Sequence, residues 1–363
     1  MRRDADQRSS RATTRNIRYR YGAAEGMVSR IGFLSFGHYQ SVQGSMTHTA
    51  ADVLLQTIEL AEAAEEIGLD GAYVRVHHFA PQLASPFPLL AAIAARTRRI
   101  EIGTGVIDMR YENPLYMAEE AAATDLISGG RLELGVSRGS PETALRGSEA
   151  FGFVPPEGMT DTDLARHKVQ LFREALVGAP VAQSDPAMTR QSIPLAIEPR
   201  SPGLENRIWW GAGSFETARW AAQQGMNLQS STLLLEEEGI PFDELQARQI
   251  REYRSAWAEA GWERTPRVSV SRSVLPITSD LDRFYFGGRD EQDQVASLEG
   301  VRARFGRSYT GEPDAIAAEL AADVAVQEAD TLLLTVPNQL GVAYCTTLLE
   351  TVARHVAPAL GWR

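Results

Sequence analysis

Apolar and polar positions along the chain switch between two periods. Short, largely apolar runs occupy residues 31–36, 72–76, 99–107, 131–136, 208–210 and 331–335, and shorter runs alternating apolar with polar residues occupy 226–229 and 268–271. Short runs of that length, separated by helical stretches and bounded by turn residues, read as strands of a buried parallel sheet. Between them lie longer stretches with apolar residues three and four apart, such as Leu54, Ile58 and Ala61, the spacing of an amphipathic helix. Several helix starts are marked locally. Thr49-Ala50-Ala51-Asp52 has the spacing of a capping box. Ser85-Pro86 and Asn113-Pro114 each set a capping residue before a proline at the first helical position. Further helices are expected at about 164–177, 215–224, 242–260, 314–326 and 341–357.

Eight strands alternating with eight helices predict an α/β fold, a (β/α)8 TIM barrel. The less regular stretches, residues 140–205 and 276–306, are then insertions after strands 4 and 7. A doubly wound open sheet shares this alternation, because periodicity does not report closure. The second stretch combines many charges with Phe284, Tyr285 and the hinge-like Gly287-Gly288. It is expected to lie over the barrel mouth as a lid, with the two aromatics as its apolar underside.

Composition narrows the function. The 363 residues are 44% hydrophobic, an ordinary globular balance. A net charge of -11, from 36 basic and 47 acidic residues, disfavours nucleic acid and anionic membrane as partners. With one cysteine, Cys345, and six histidines, an intrachain disulfide is impossible and no metal site is expected. No run of about 18 apolar residues is present, so no membrane-spanning helix is expected. Residues 1–26 are arginine-rich and poor in apolar residues, and are expected to form a disordered N-terminal extension. Met27 is a plausible alternative start, residues 27–363 a single barrel domain, and the cytoplasm the expected location.

Candidate chemistry collects at the C-terminal ends of the predicted strands, the active face of such a barrel. Ser137-Arg138-Gly139 ends the fourth strand, where an arginine can clamp an anion through charge-assisted bonds. In Gly211-Ala212-Gly213-Ser214-Phe215-Glu216-Thr217, Ser214 can cap a helix whose first turn offers unpaired N–H groups to the same anion. Thr217 lies one turn further on. His77-His78 end the second strand and alternate in direction, so one faces the mouth, suited to proton transfer or ligand hydrogen bonding. In Thr104-Gly105-Val106 a glycine inside a buried strand marks close approach of backbone or of a flat ligand. Dinucleotide-binding, phosphate-loop and serine-hydrolase glycine signatures are absent at the expected places.

Taken together these residues resemble the bacterial luciferase-like family of flavin-dependent monooxygenases, over about residues 28–363. The resemblance is carried by His77-His78-Phe79, the Leu89-Leu90-Ala91-Ala92-Ile93-Ala94-Ala95-Arg96-Thr97 helix, Ile102-Gly103-Thr104-Gly105-Val106 and Asn113-Pro114. It continues through Ser128-Gly129-Gly130-Arg131 with the strand to Gly139, and through Tyr309-Thr310-Gly311-Glu312-Pro313-Asp314. It implies a barrel with insertions and a homodimer. It also implies reduced FMN supplied by a separate NAD(P)H-dependent flavin reductase, and O2 as the source of an oxygen atom given to a small apolar or carbonyl substrate. By position, His77 matches the catalytic histidine, Arg138 the arginine on the FMN phosphate, and Ser214 and Thr217 phosphate-contacting hydroxyls. Thr104, Ser137 and Gly213 fall beside the cofactor, and Gly105-Val106 matches a non-proline cis peptide against the flavin ring. Two departures matter. Ser137 stands where luciferase carries a reactive cysteine, so light emission is not implied. Val76 replaces an acid often found before the histidine pair, so a charged partner for His77 must come from elsewhere. Similar barrels serve F420-dependent dehydrogenases and reductases, or non-catalytic flavin-binding subunits. His77 speaks against the last.

Overall fold

The computed structural model describes residues 30–139, 144–235, 239–288, 292–298 and 301–362. The expected N-terminal extension at 1–26 lies outside them. Eight parallel strands pair in chain order: β1 (Arg30–Ser35), β2 (Gly71–Val74), β3 (Glu101–Thr104), β4 (Leu132–Ser137), β5 (Ile208–Ala212), β6 (Asn227–Ser230), β7 (Val268–Pro276) and β8 (Thr331–Val336). β8 pairs back onto β1, with Arg30 beside Thr331 and Ser35 beside Val336. That closure makes the fold a TIM barrel and removes the open sheet from consideration.

The helices are α1 (Ala50–Ile67), α2 (Pro86–Arg96), α3 (Pro114–Ser128), α4 (Asp161–Leu176), α5 (Phe215–Gln223), α6 (Phe242–Ala260), α7 (Pro313–Ala322) and α8 (Val342–Thr351). Local chemistry explains their starts. Thr49 and Asp52 form the expected capping box, and the Asn113 side chain accepts from the N–H groups of Leu115 and Tyr116. Ser85 precedes Pro86 as expected but makes no side-chain cap. α7 ends before the expected 326 because Asp323 leaves helical backbone. Its carboxylate instead holds the buried Arg272 at 2.7 Å and caps the short helix that follows.

The lower lumen is filled by polar packing. Arg267 bridges Glu101 and Glu133 at 2.9 Å each, Arg30 reaches Glu101 at 3.1 Å, and Trp209 Nε1 donates to Glu133 at 2.6 Å. These residues come from the N-terminal ends of their strands. Leu34, Tyr73 and Leu333 pack above them, and Leu34 and Leu333 line the cavity toward the C-terminal mouth.

Residues 138–207 connect β4 to β5 and hold α4 and the small antiparallel pair Ala182–Gln183 with Pro194–Leu195. Residues 277–312 connect β7 to α7. Within them lies the helix Asp280–Phe286, whose Phe284 and Tyr285 do not line the cavity at the mouth: Phe284 is exposed and Tyr285 packs on Tyr344 of α8, 5.7 Å between rings. The expected apolar underside of a lid is therefore not built from Phe284 and Tyr285. The strand Val301–Phe305 instead pairs with Leu233–Leu235 after β6 and brings Phe305 to the mouth. Arg289, Asp290 and Glu291 lie outside the described residues.

Candidate active site

A cavity of about 620 Å³ opens at the C-terminal ends of the strands, within the usual size of a small-molecule site. His77, Gly105, Val106, Ser137, Arg138, Gly213, Ser214 and Thr217 all line it. Thr104 does not. Its side chain is fully buried, and its hydroxyl donates to the Gly135 carbonyl at 2.7 Å. Its carbonyl accepts at 3.0 Å from Gln229, which does line the cavity. Thr104 thus supports the wall from behind.

One end of the cavity is cationic and rich in donors. Arg138 leaves β4 at a corner where Gly139 (φ +88°) donates its N–H to Ser137 Oγ at 2.7 Å. Across from it α5 begins. Ser214 Oγ accepts from the Thr217 N–H at 3.3 Å and lies 3.1 Å from the Thr217 hydroxyl. The Thr217 hydroxyl also donates to the Ser214 carbonyl at 3.1 Å, and these hydroxyls lie with the first-turn N–H groups at one helix start, where a ligand anion can take over their donors. Arg166 of α4 reaches the same end, paired with Glu216 at 2.9 Å. Asp108 also borders the cavity, but its carboxylate is held by Arg110 at 2.6 Å, and Arg110 continues to Asp161 at 3.0 Å. Burial opposes the charge on Arg110, and the bonds to Asp108 outweigh it, so the guanidinium is held above its ordinary range. Nearby, burial lowers Lys168 to about 8, and burial together with Glu120 raises Glu112 to about 7.

The middle of the cavity is a narrow slot. Strand β3 ends at Thr104, the Gly105–Val106 peptide is cis, and Ile107–Asp108 resumes pairing along β4. The predicted third strand, 99–107, is thus two pieces around a backbone corner. A Cβ on Gly211 of β5 would come within 3.0 Å of Val106 and 3.3 Å of Ser137. Glycine at this position keeps the walls close, since any side chain would press on Val106 and Ser137.

The other end holds His77. Arg75 Nη2 lies 3.1 Å from His77 Nε2. A guanidinium only donates, so Nε2 accepts and the imidazole proton sits on Nδ1. Arg75 is a cation, so it holds the neutral ring and does not take the part of the acid that Val76 replaces; it also stacks on Phe36 at 4.8 Å. His38, half-buried beside them, is held below the usual histidine range by burial first and then by Arg75 and His77. His78 turns away, stacking on Tyr111 at 4.3 Å and meeting Phe151 edge-on. Arg75, Arg166, Gln229 and Phe305 were not legible as site residues. Arg75, Arg166 and Gln229 each sit in a stretch whose local pattern is that of an ordinary strand or helix, and Phe305 sits in the irregular stretch 276–306.

A TIM barrel whose mouth joins a cationic, hydroxyl-lined end to a glycine-walled slot and a histidine suits a flat ligand bearing a phosphate. The luciferase-like monooxygenase family model matches residues 34–282, and the chain belongs to that family. It is 37% identical over 314 residues to 4-hydroxyprotoasukamycin monooxygenase of Streptomyces nodosus subsp. asukaensis, covering 76% of this chain and 84% of that protein. It is 31% identical over 206 residues to the uncharacterized protein y4wF of Sinorhizobium fredii; that match spans only 56% of each chain. A shorter match, 36% over 126 residues, is to an F420-dependent glucose-6-phosphate dehydrogenase of Amycolatopsis mediterranei, covering 32% of this chain and 36% of that one. Among solved structures, the monooxygenase RslO1 of Streptomyces bottropensis superposes with a TM-score of 0.68 at 21% identity, over 91% of this chain and 99% of that one. The FMN-bound oxygenating constituent of 3,6-diketocamphane monooxygenase of Pseudomonas putida gives 0.66 at 17%, over 92% and 99%. The family thus includes both flavin-dependent monooxygenases and F420-dependent enzymes. Among the described residues no helix is long and apolar enough to cross a membrane.

Proposed function

We propose that this protein is the oxygenase component of a two-component monooxygenase that uses reduced FMN and O2 on a small apolar or carbonyl substrate. One observation carries the reading: a single cavity joins the Arg138, Ser214 and Thr217 donors to His77 across the glycine-walled slot. Arg138 and the two hydroxyls would hold the FMN phosphate, and Gly105, Val106 and Gly211 would flank the ring. When bound, reduced FMN supplies the electrons that activate O2 for transfer of one oxygen atom. The chain's own part is to bind and orient, to exclude water with Phe305, Leu233 and Leu235, and to hold or move a proton at His77 Nδ1. A separate flavin reductase would deliver the cofactor, since a diketocamphane relative of this fold is itself described as an oxygenating constituent. A homodimer fits the exposed Tyr116, Leu126 and Ile127 on α3.

The test mixes the purified protein anaerobically with reduced FMN or reduced F420 and then admits O2. Tight binding of reduced FMN, and a reoxidation rate changed by the protein, support the reading. Binding of F420 alone would refute it and favour hydride transfer on the same barrel.

A further inference from the structure

The His77 end of the cavity carries a fixed positive charge. Arg75 and His77, two positions apart where the chain leaves β2, both line the cavity. The backbone there is still tied to β1, since the Arg75 N–H donates to the Ser35 carbonyl at 2.9 Å. The Arg75 guanidinium is held from two sides. Its carbon lies 4.8 Å from the centre of the Phe36 ring, and Nη2 donates to His77 Nε2 at 3.1 Å. Stacking engages the face of the group, while its donors lie around the edge. His38 stacks on Phe36 at 6.0 Å and is held below the usual histidine range, so Arg75 is the permanently charged cation among the described residues at this end. Leu34, Val76 and Leu333 line the cavity on the neighbouring backbone. Among the described residues, the acids that line the cavity are Asp108 and Glu216. Asp108 is held by Arg110 at 2.6 Å, and Glu216 at 2.9 Å by Arg166, itself stacked on Trp220 at 4.9 Å. Both belong to the opposite end.

We propose that Arg75 is a substrate-binding residue that takes the ionised oxygen of a phenol or enol. The inference deepens the function proposed above and rests on it for calling the ligand of this end the substrate. Three observations agree on the class. The apolar wall suits a hydrocarbon body. The guanidinium, anchored through its face, suits a negative oxygen on that body. Because Nη2 touches His77, that oxygen lies beside the group given a proton-handling part above. A carboxylic acid arrives already ionised near neutral pH and has no proton to give up. A phenol or enol must lose one: the O–H bond breaks, the electron pair stays on oxygen and the proton passes to solvent. A guanidinium within about 4–6 Å favours that ionised form. Ionisation also enriches the conjugated carbons in electrons, which suits them to accept an oxygen atom.

The test is absorbance titration of the purified protein with 4-nitrophenol across pH, because only the anion of this probe is yellow. Nitrobenzene, a neutral analogue of similar shape, and 4-nitrobenzoate, a carboxylate, are compared by quenching of tryptophan fluorescence, with Trp210 in the cavity wall as reporter. Wild type should bind the nitrophenolate about tenfold more tightly than the neutral phenol, which moves the colour change of the bound probe about one pH unit lower. R75Q should lose this preference and keep its affinity for nitrobenzene. R75K should restore part of it, since lysine carries the charge without the planar fork. H77Q should keep most of it, because the cation remains. Wild type that binds no nitrophenolate or shows no preference for it would overturn the assignment. So would an R75Q variant that retains the preference, or that weakens nitrobenzene to the same extent. Tighter binding of 4-nitrobenzoate than of nitrophenolate, dependent on Arg75, would make this a carboxylate site and overturn the class. No flavin enters the measurement, so its failure is distinct from failure of the reduced-FMN test above.

Discussion

Gly139→Ala probes how the corner of β4 presents Arg138. Gly139 has φ +88°, a conformation that costs an L-residue about 1–2 kcal/mol. A Cβ there would overlap Oδ2 and Cγ of Asp108 and come within 2.9 Å of Oδ1. Asp108 cannot simply swing aside. It is 3% exposed, and Arg110 holds it through Nη2 at 2.6 Å, Nε at 3.1 Å and the backbone N–H at 2.9 Å. Displacing it breaks at least one buried charge-assisted contact, worth about 1.5–3 kcal/mol. The two terms together give roughly 2.5–5 kcal/mol, less whatever the loop recovers by moving. Urea unfolding should therefore show a loss of at least about 2 kcal/mol at unchanged m-value. Movement of the loop carries Arg138 with it, so reduced-FMN affinity should fall about tenfold or more. A double-mutant cycle isolates the clash. Asp108→Ala removes the obstructing carboxylate, so the double variant should be more stable than the sum of the single effects by about 1 kcal/mol or more. Stability of Gly139→Ala within about 0.5 kcal/mol of wild type, or strict additivity in the cycle, would refute the reasoning.

Arg138→Ala should weaken reduced-FMN binding by about 1.5–3 kcal/mol, with turnover largely restored at saturating flavin; unchanged affinity in a flavin titration removes Arg138 from the phosphate site. His77→Ala should bind flavin nearly normally and lose turnover on the order of 100-fold, and wild-type turnover would exclude His77 from the mechanism. Burial lifts Glu133 to about 7 against the pull of Arg267, above the ordinary value of 4.5. Because the native value is the higher one, this group's contribution is fully present below pH 4.5 and is lost as pH rises toward 7, by up to roughly 3 kcal/mol. The stability difference between wild type and E133Q, measured by urea unfolding from pH 4.5 to 8, should therefore drift in favour of the variant as pH rises; a constant difference contradicts this.

Sequence alone determined the alternation of strands and helices, because strand and helix periods are local properties of side-chain spacing. The capping box at Thr49 and the cap at Asn113 were legible for the same reason: each needs only residues within one turn. Most of the site was legible too. Arg138, Ser214 and Gly105 each break a local pattern, with a cation, a cap and a glycine at strand ends where a plain barrel needs none. Tertiary structure decided the rest. Closure depends on the pairing of β8 with β1, which joins residues some 300 positions apart and leaves no trace in either strand. The early end of α7 depends on Asp323 finding Arg272 on another strand. Thr104 looked like a ligand contact, but the β4 backbone beside it offered its hydroxyl a buried carbonyl. Arg75 and Arg166 were invisible as site residues, because an arginine on a strand or an amphipathic helix looks the same whether it meets solvent or a cavity. What it meets is set by the elements packed around it: the Phe36 ring under Arg75, and Trp220 and Glu216 around Arg166.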